Sequence, residues 1–159
     1  MRFHLLDRIT ACEPGQSLRG MKRLTLGEDY LHDHFPGFPI MPGVLQLQSL
    51  VEAASWLLRI TDEFQHAVVV LREVKNVKYG NLMPPGKTLD VTVELAGRDG
   101  PSASFRGKGE TGGTQTVAAQ FTLTTYNLAE RNPVMQSIDE GLIAQLRSHC
   151  RMLQGELRM

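Results

Sequence analysis

The hydrophobic pattern changes period along the chain, and the changes mark its elements. From Val44 to Arg59 there is no Gly or Pro, and Leu47, Leu50, Val51, Ala54, Leu57 and Leu58 recur at three- and four-residue steps, the period of a helix. Val44, Leu45, Ala53 and Trp56 widen the stripe until little of the surface is polar, and such a helix is enclosed by other structure rather than laid on a surface. Pro42 just ahead of it suits a helix start, where a missing N–H costs nothing.

Either side of this helix the period is two. One strand is predicted over roughly 17–26, after the turn signal Pro14-Gly15 and a short leading segment. Residues 27–43 carry Gly27, Pro36, Gly37, Pro39, Pro42 and Gly43, too many breakers for a helix or a central strand. Beyond Asp62-Glu63, the Val-rich run Ala67–Leu71 passes into alternation to Tyr79, and Pro84-Pro85-Gly86 makes a turn. Leu89–Leu95 alternates cleanly, Ser102–Glu110 is a strand weakened by Gly107 and Gly109, and Thr116–Tyr126 alternates after Gly112-Gly113. Hairpin-length connections imply antiparallel pairing. One helix and about five strands therefore predict an α+β layer architecture, a sheet curled around a central helix.

Past Tyr126 the helical period returns. Ser137 and Glu140 have capping-box spacing, and Leu142, Leu146, Cys150, Leu153 and Leu157 share one helical face. An amphipathic helix is expected over about 138–156, so the chain divides into a body over 1–126 and a helical extension over 127–159.

Composition narrows the function. The 159 residues carry 17 Lys+Arg against 17 Asp+Glu, a balance that lacks the basic surplus of a nucleic-acid binder. Cys12 and Cys150 cannot make a disulfide framework, and two reduced thiols without a membrane-length apolar run suggest a cytoplasmic protein without a membrane span. His4, His32, His66 and His149 show no metal-ligand spacing. No phosphate loop, dinucleotide fingerprint or hydrolase elbow is present, so no metal or cofactor is implied.

The chemistry concentrates in Asp33-His34-Phe35-Pro36-Gly37-Phe38-Pro39-Ile40-Met41-Pro42-Gly43-Val44-Leu45. A histidine in a Pro/Gly-controlled loop runs straight into the buried helix. Neutral imidazole is a competent general base near neutral pH. The helix start at Gly43-Val44 presents backbone N–H groups to a developing oxyanion, and Gly43, with no side chain, lets a carbonyl oxygen come close. A base beside an oxyanion site is what proton removal next to a thioester carbonyl needs.

This stretch resembles the signature of the hotdog-fold 3-hydroxyacyl-[acyl-carrier-protein] dehydratases of fatty-acid synthesis. Phe3–Ile9 and the Met83-Pro84-Pro85-Gly86-Lys87-Thr88-Leu89 turn are similar to flanking motifs of the same family, and the resemblance covers about residues 1–126. It implies a hotdog fold. It also implies that His34 is the base that takes the C2 proton, that Gly43, with Val44, holds the thioester carbonyl, and that Phe35, Pro36, Met41 and Leu45 shape an acyl tunnel. The family pattern carries a cis peptide after the motif His, expected here between His34 and Phe35. It implies a homo-oligomer, a dimer or a hexamer built as a trimer of dimers, with His34 of one subunit facing residue 48 of the other. The substrate would be an acyl thioester on acyl carrier protein or coenzyme A. Arg72, Lys75, Lys78 and Lys87 against Glu73 alone fit either a solvated strand face or docking by an acidic carrier protein.

The family's second catalytic residue, a Glu or Asp, stands fourteen positions after the His, and here that position is Gln48. An amide donates and accepts hydrogen bonds but delivers no proton. Glu52, one turn on, is the nearest carboxylate on the same face. Three readings follow: a dehydratase weakened at Gln48, a catalytically degenerate hotdog that binds acyl thioesters or serves as a partner subunit, or a hotdog thioesterase in which Gln48 orients water.

Overall fold

Residues 4–155 are described by the computed structural model, so Phe3 and Leu157 of the motifs above lie outside the described residues. Six strands, β1 (Arg8–Glu13), β2 (Ser17–Arg23), β3 (Val68–Tyr79), β4 (Thr88–Asp99), β5 (Ser102–Thr111) and β6 (Thr114–Tyr126), form one antiparallel sheet in the order β1-β2-β4-β5-β6-β3. Helix α1 (Gly43–Thr61) packs against β2, β3, β4, β5 and β6. Leu50, Leu57 and Leu58 of α1 meet Leu89, Val91, Val93, Phe105, Val117 and Leu123 of the sheet, all fully buried. The expected hotdog, a sheet wrapped around one helix, is the observed fold.

One strand goes beyond the sequence reading. The leading segment is itself a strand, β1, paired to β2 across the Pro14-Gly15 turn. It sits at the sheet edge with Ile9 as its one buried residue, and therefore carries no alternation for the period to reveal. The Val-rich run opens β3, and it too lies at an edge, with Val70, Leu71, Val77 and Tyr79 exposed.

The loop between β2 and α1 is held at both ends. Lys22, itself buried, pairs with Glu28 at 2.6 Å and with Asp7 at 3.5 Å, while Asp7 accepts the Arg23 N–H at 2.6 Å. Leu24 and Leu31 anchor the loop in the core, and the Met41 N–H donates to the Met83 carbonyl at 2.9 Å.

The terminal helix α2 runs Gln136–Leu153. Its start is not the expected capping box at Ser137 and Glu140. A 3-10 turn, Pro133–Met135, feeds into the helix, Met135 occupies the cap position without a side-chain bond, and Ser137 falls inside the first turn. The capping box of this region is instead Asn127 with Glu130. Asp139, 3 % exposed, accepts the N–H groups of Leu128 and Ala129 at 3.0 and 2.8 Å. Cys150 and Leu153 join the same hydrophobic cluster as α1, with Leu146 packed against it. Arg147 donates to the Glu63 carbonyl at 2.6 Å and lies over the Phe64 ring. Among the described residues no helix is long and apolar enough to cross a membrane.

Replacing Asp139 by Ala leaves two backbone donors unpaired in a buried place, a loss of about 1–3 kcal/mol. The urea midpoint of Asp139→Ala is expected to fall accordingly, with the slope of the transition unchanged.

Candidate active site

The N-terminus of α1 is left open by its own sequence. Pro42 is the N-cap residue and makes no side-chain cap bond, and its carbonyl accepts from Leu45 and Gln46 at 3.0 and 3.1 Å. The N–H groups of Gly43 and Val44 precede any intrahelical acceptor. They therefore point out of the helix as free donors at its positive end.

These donors share a cavity of about 350 Å³ with His34, and Ile40, Met41, Gln46, Tyr79 and Leu82 complete much of its wall. His34 is half-buried in the loop. Its ring meets Phe35 edge-on, with centroids 4.6 Å apart. The loop reverses at Phe35, which adopts φ +50, and the Phe38 N–H closes the turn onto the Phe35 carbonyl at 2.8 Å. No peptide bond among the described residues is cis, so the expected cis bond between His34 and Phe35 is replaced by this left-handed residue, which performs the same reversal with a trans chain. Left-handed φ at a Phe is a strained conformation.

Gly43 has a structural reason to be glycine besides the approach of a carbonyl. A Cβ there would lie 2.8 Å from Cε1 and 3.0 Å from Cδ1 of Tyr79, whose ring lies against the helix start.

The remaining candidates are placed as follows. Met41 lines the cavity, as do Gly43 and Val44; Phe35, Pro36 and Leu45 do not. Phe35 and Pro36 are exposed, and Leu45 packs against the core. Gln48 is exposed on the outer face of α1, away from the cavity of its own chain. It stands one turn from Val44, and these two are the exposed residues of the helix. Arg72, Lys75 and Lys78 are exposed on β3, where Lys75 pairs with Glu73 at 3.0 Å.

Glu52 is otherwise engaged. Its Oε2 accepts the N–H groups of Leu5 and Leu6 at 2.7 and 3.2 Å, and Oε1 accepts the Trp56 indole N–H at 3.4 Å. Burial raises its pKa, and the bonds from Leu5, Leu6 and Trp56 pull it back. The carboxylate ties the leading segment to α1 and does not reach the His34 cavity.

The sequence reading passed over Gln46 and Tyr79. Gln46 is 4 % exposed, and its amide donates to the Met41 carbonyl at 3.3 Å while Oε1 makes no hydrogen bond. A polar residue inside an otherwise apolar helix stripe was the available signal for it.

Comparison with known proteins shows the family of the chain. A family profile described as ApeI dehydratase (ApeI-like) matches residues 11–120. The 3-hydroxyacyl-[acyl-carrier-protein] dehydratase FabZ of Wolbachia pipientis wMel is 41 % identical over 93 residues, which are 58 % of this chain and 65 % of that protein. This chain thus spans just under two thirds of that relative's length. The FabZ of Clostridium acetobutylicum is 32 % identical over 118 residues, covering 74 % of this chain and 84 % of that one. Among solved structures, the dehydratase heterocomplex ApeI:P from Xenorhabdus doucetiae superposes with a TM-score of 0.66 at 18 % identity, over 83 % of this chain and 89 % of that one. With its motif loop, wrapped helix and these matches, the chain belongs to the ApeI-like dehydratases of the hotdog-fold 3-hydroxyacyl-[acyl-carrier-protein] dehydratase family.

Proposed function

We propose that the protein removes water from a 3-hydroxyacyl thioester carried on acyl carrier protein, giving the trans-2-enoyl thioester. The observation that carries this reading is the open helix start at Gly43 and Val44 sharing one cavity with His34. In the reaction the thioester carbonyl oxygen accepts from the Gly43 N–H, and charge that develops on it is stabilised by donors already in place. The His34 imidazole takes the proton from C2. The C2–H electron pair forms the C2=C3 double bond as the C3–O bond breaks. The departing hydroxyl needs one proton to leave as water, and the imidazolium of His34 is the group that can return it. Gln48 can hold that hydroxyl or the water but supplies no proton.

The active unit in this reading is a homodimer. Val44, Tyr79 and Leu82 of the cavity wall, and Phe35 and Phe38 of the motif loop, are each at least half exposed, a concentration of apolar surface that marks an interaction face. A second copy seated there covers this face and brings its own Gln48 toward His34. Further assembly into a hexamer is compatible with that pairing. Arg72, Lys75 and Lys78 on β3 suit an acidic carrier protein, and the reading carries with it a cytoplasmic location, where carrier-bound thioesters are made.

Gln48 favours a second reading. Two copies of this chain would build sites that lack a carboxylate, whereas a related hotdog subunit with Glu or Asp at this position would complete the His34 site. The solved neighbour from Xenorhabdus doucetiae is itself a heterocomplex.

Enoyl-thioester formation from a 3-hydroxyacyl-pantetheine substrate separates the readings. Wild-type turnover is expected and His34→Ala is expected to abolish it. Gln48→Glu is expected to raise the rate by about 10²–10⁴, the usual worth of a positioned acid or base. Turnover confined to Gln48→Glu supports the partner-subunit reading, and turnover indifferent to His34→Ala sinks the site assignment.

The dimer is tested by sedimentation. Val44→Asp puts an unpaired charge into the covered face and is expected to shift the chain from dimer to monomer at micromolar concentration, with the unfolding midpoint of the monomer preserved.

A further inference from the structure

A second cluster of ionisable side chains lies far from the His34 cavity. Glu52 stands nine residues along α1 from Gly43, about 14 Å at 1.5 Å per residue. There the leading segment, α1 and α2 converge, and His4, Glu52 and His149 offer one ligand atom each, all within 4.8 Å of one another. We infer that His4, Glu52 and His149 form a binding site for a zinc-class divalent cation that fastens α2 and the leading segment to α1.

The donor set is two imidazoles and one carboxylate, which suits zinc and its neighbours in the transition series and not calcium or magnesium. Glu52 and His149 are held by their surroundings, the His149 ring lying against Trp56 with centroids 5.4 Å apart. His4 stacks on the other side of His149 at 4.3 Å, and because imidazole lone pairs lie in the ring plane, His4 has to swing out of this stack for both rings to meet one ion. The His149 Nε2 is buried and makes no hydrogen bond, an orphan that a cation would satisfy.

The Glu52 carboxylate is 11 % exposed and oriented by the Leu5, Leu6 and Trp56 N–H groups. Oε2 spends its lone pairs on Leu5 and Leu6, whereas Oε1 takes only the long bond from Trp56 and keeps one lone pair. That pair faces His4, whose Nδ1 lies 4.0 Å away. This gap is too wide for a hydrogen bond. Ligands at ~2.0–2.1 Å from a tetrahedral ion stand about 3.4 Å apart, so closing the site takes a shift of roughly 1 Å. The His4 side chain, 48 % exposed, is free to turn by that much.

His4 and His149, though not Glu52, line a cleft of about 670 Å³ together with Gln145, Ser148 and Arg59. The Arg59 guanidinium lies 5.6 Å from the Trp56 ring centroid, with its pKa pushed down to about 10 by burial. Its charge opposes a cation, so the three donors hold the ion against it and affinity is set by both imidazoles together.

The test is zinc titration of the tag-free, chelator-stripped full chain against a chromophoric chelator, with cobalt(II) absorption as a second readout. Wild type is expected to take up one equivalent and to show tetrahedral cobalt bands. His4→Ala and His149→Ala are each expected to weaken uptake at least tenfold and to abolish those bands, while His32→Ala and His34→Ala leave both unchanged. His4 is half exposed, so His4→Ala keeps the fold and remains decisive if His149→Ala unfolds. Zinc affinity unchanged in His4→Ala, or equal loss in His34→Ala, overturns the inference. It is independent of the dehydratase reading, whose failure would leave zinc uptake untouched.

Discussion

A helix that is apolar on nearly every side cannot stand in water, and the rest of this structure answers that constraint. Helix α1 buries residues around most of its circumference, leaving only the side of Val44, Gln48, Glu52, Ser55 and Arg59 less covered, so the sheet has to wrap it and the strands have to come close. Gly107 shows how close. A Cβ there would stand 3.1 Å from Cε1 of Phe121 and 3.2 Å from Cδ1 of Leu50. A glycine that weakens a strand by propensity is here the point at which helix and sheet meet, and the contact outweighs the propensity.

The same constraint assigns a use to each polar residue on α1. The hydroxyls of Ser49, Ser55 and Thr61 donate back to carbonyls one turn earlier, at 3.0, 2.8 and 2.7 Å. Glu52 takes the backbone of the leading segment, and the Gln46 amide takes the Met41 carbonyl. Val44 and Gln48 remain exposed, both near the end whose backbone donors have no acceptor. Burial of the helix is least complete there, where its two exposed residues stand. The end that the chain leaves unfinished in its packing is also the end left unfinished in its hydrogen bonding, which is why the proposed chemistry and the proposed subunit pairing both fall there.

Much of this was legible in the sequence because local signals carried it. The uninterrupted helical period named α1 to within two residues of its observed end at Thr61, and clean alternation named β4 and β6. The motif loop placed His34 beside Gly43 and Val44, since all lie in one short segment whose path Pro and Gly restrict. What the sequence withheld leaves no alternation or spacing of its own to read. β1 has a single buried residue and exists because β2 pairs with it. Ser137 has the spacing of a cap but the preceding 3-10 turn carries the helix past it. The left-handed Phe35 is a backbone choice between two ways of making one reversal. His4, Glu52 and His149 have no mutual spacing at all, because three separate elements deliver them.

The two ends of α1 are therefore built for different purposes. The C-terminal end is pinned from several directions. Arg98 grips Asp62 through two bonds of 2.6 and 2.7 Å, Thr61 accepts from the Gly15 N–H at 2.8 Å, and Arg147 reaches the Glu63 carbonyl. A bidentate guanidinium–carboxylate pair has both geometry and charge in its favour, and α2 adds the burial of Cys150 and Leu153. Changes made more than about 7–10 Å apart without shared partners act nearly independently. Substitutions at the C-terminal end thus act on the stability of the whole, and those around Pro42, Gly43 and Val44 act on the proposed site. A rigid far end is what lets the near end keep free donors: an exposed helix start frays unless the rest of the helix is held. The helical extension, although distant from the cavity, belongs by this argument to the support of the open helix start at Gly43 and Val44.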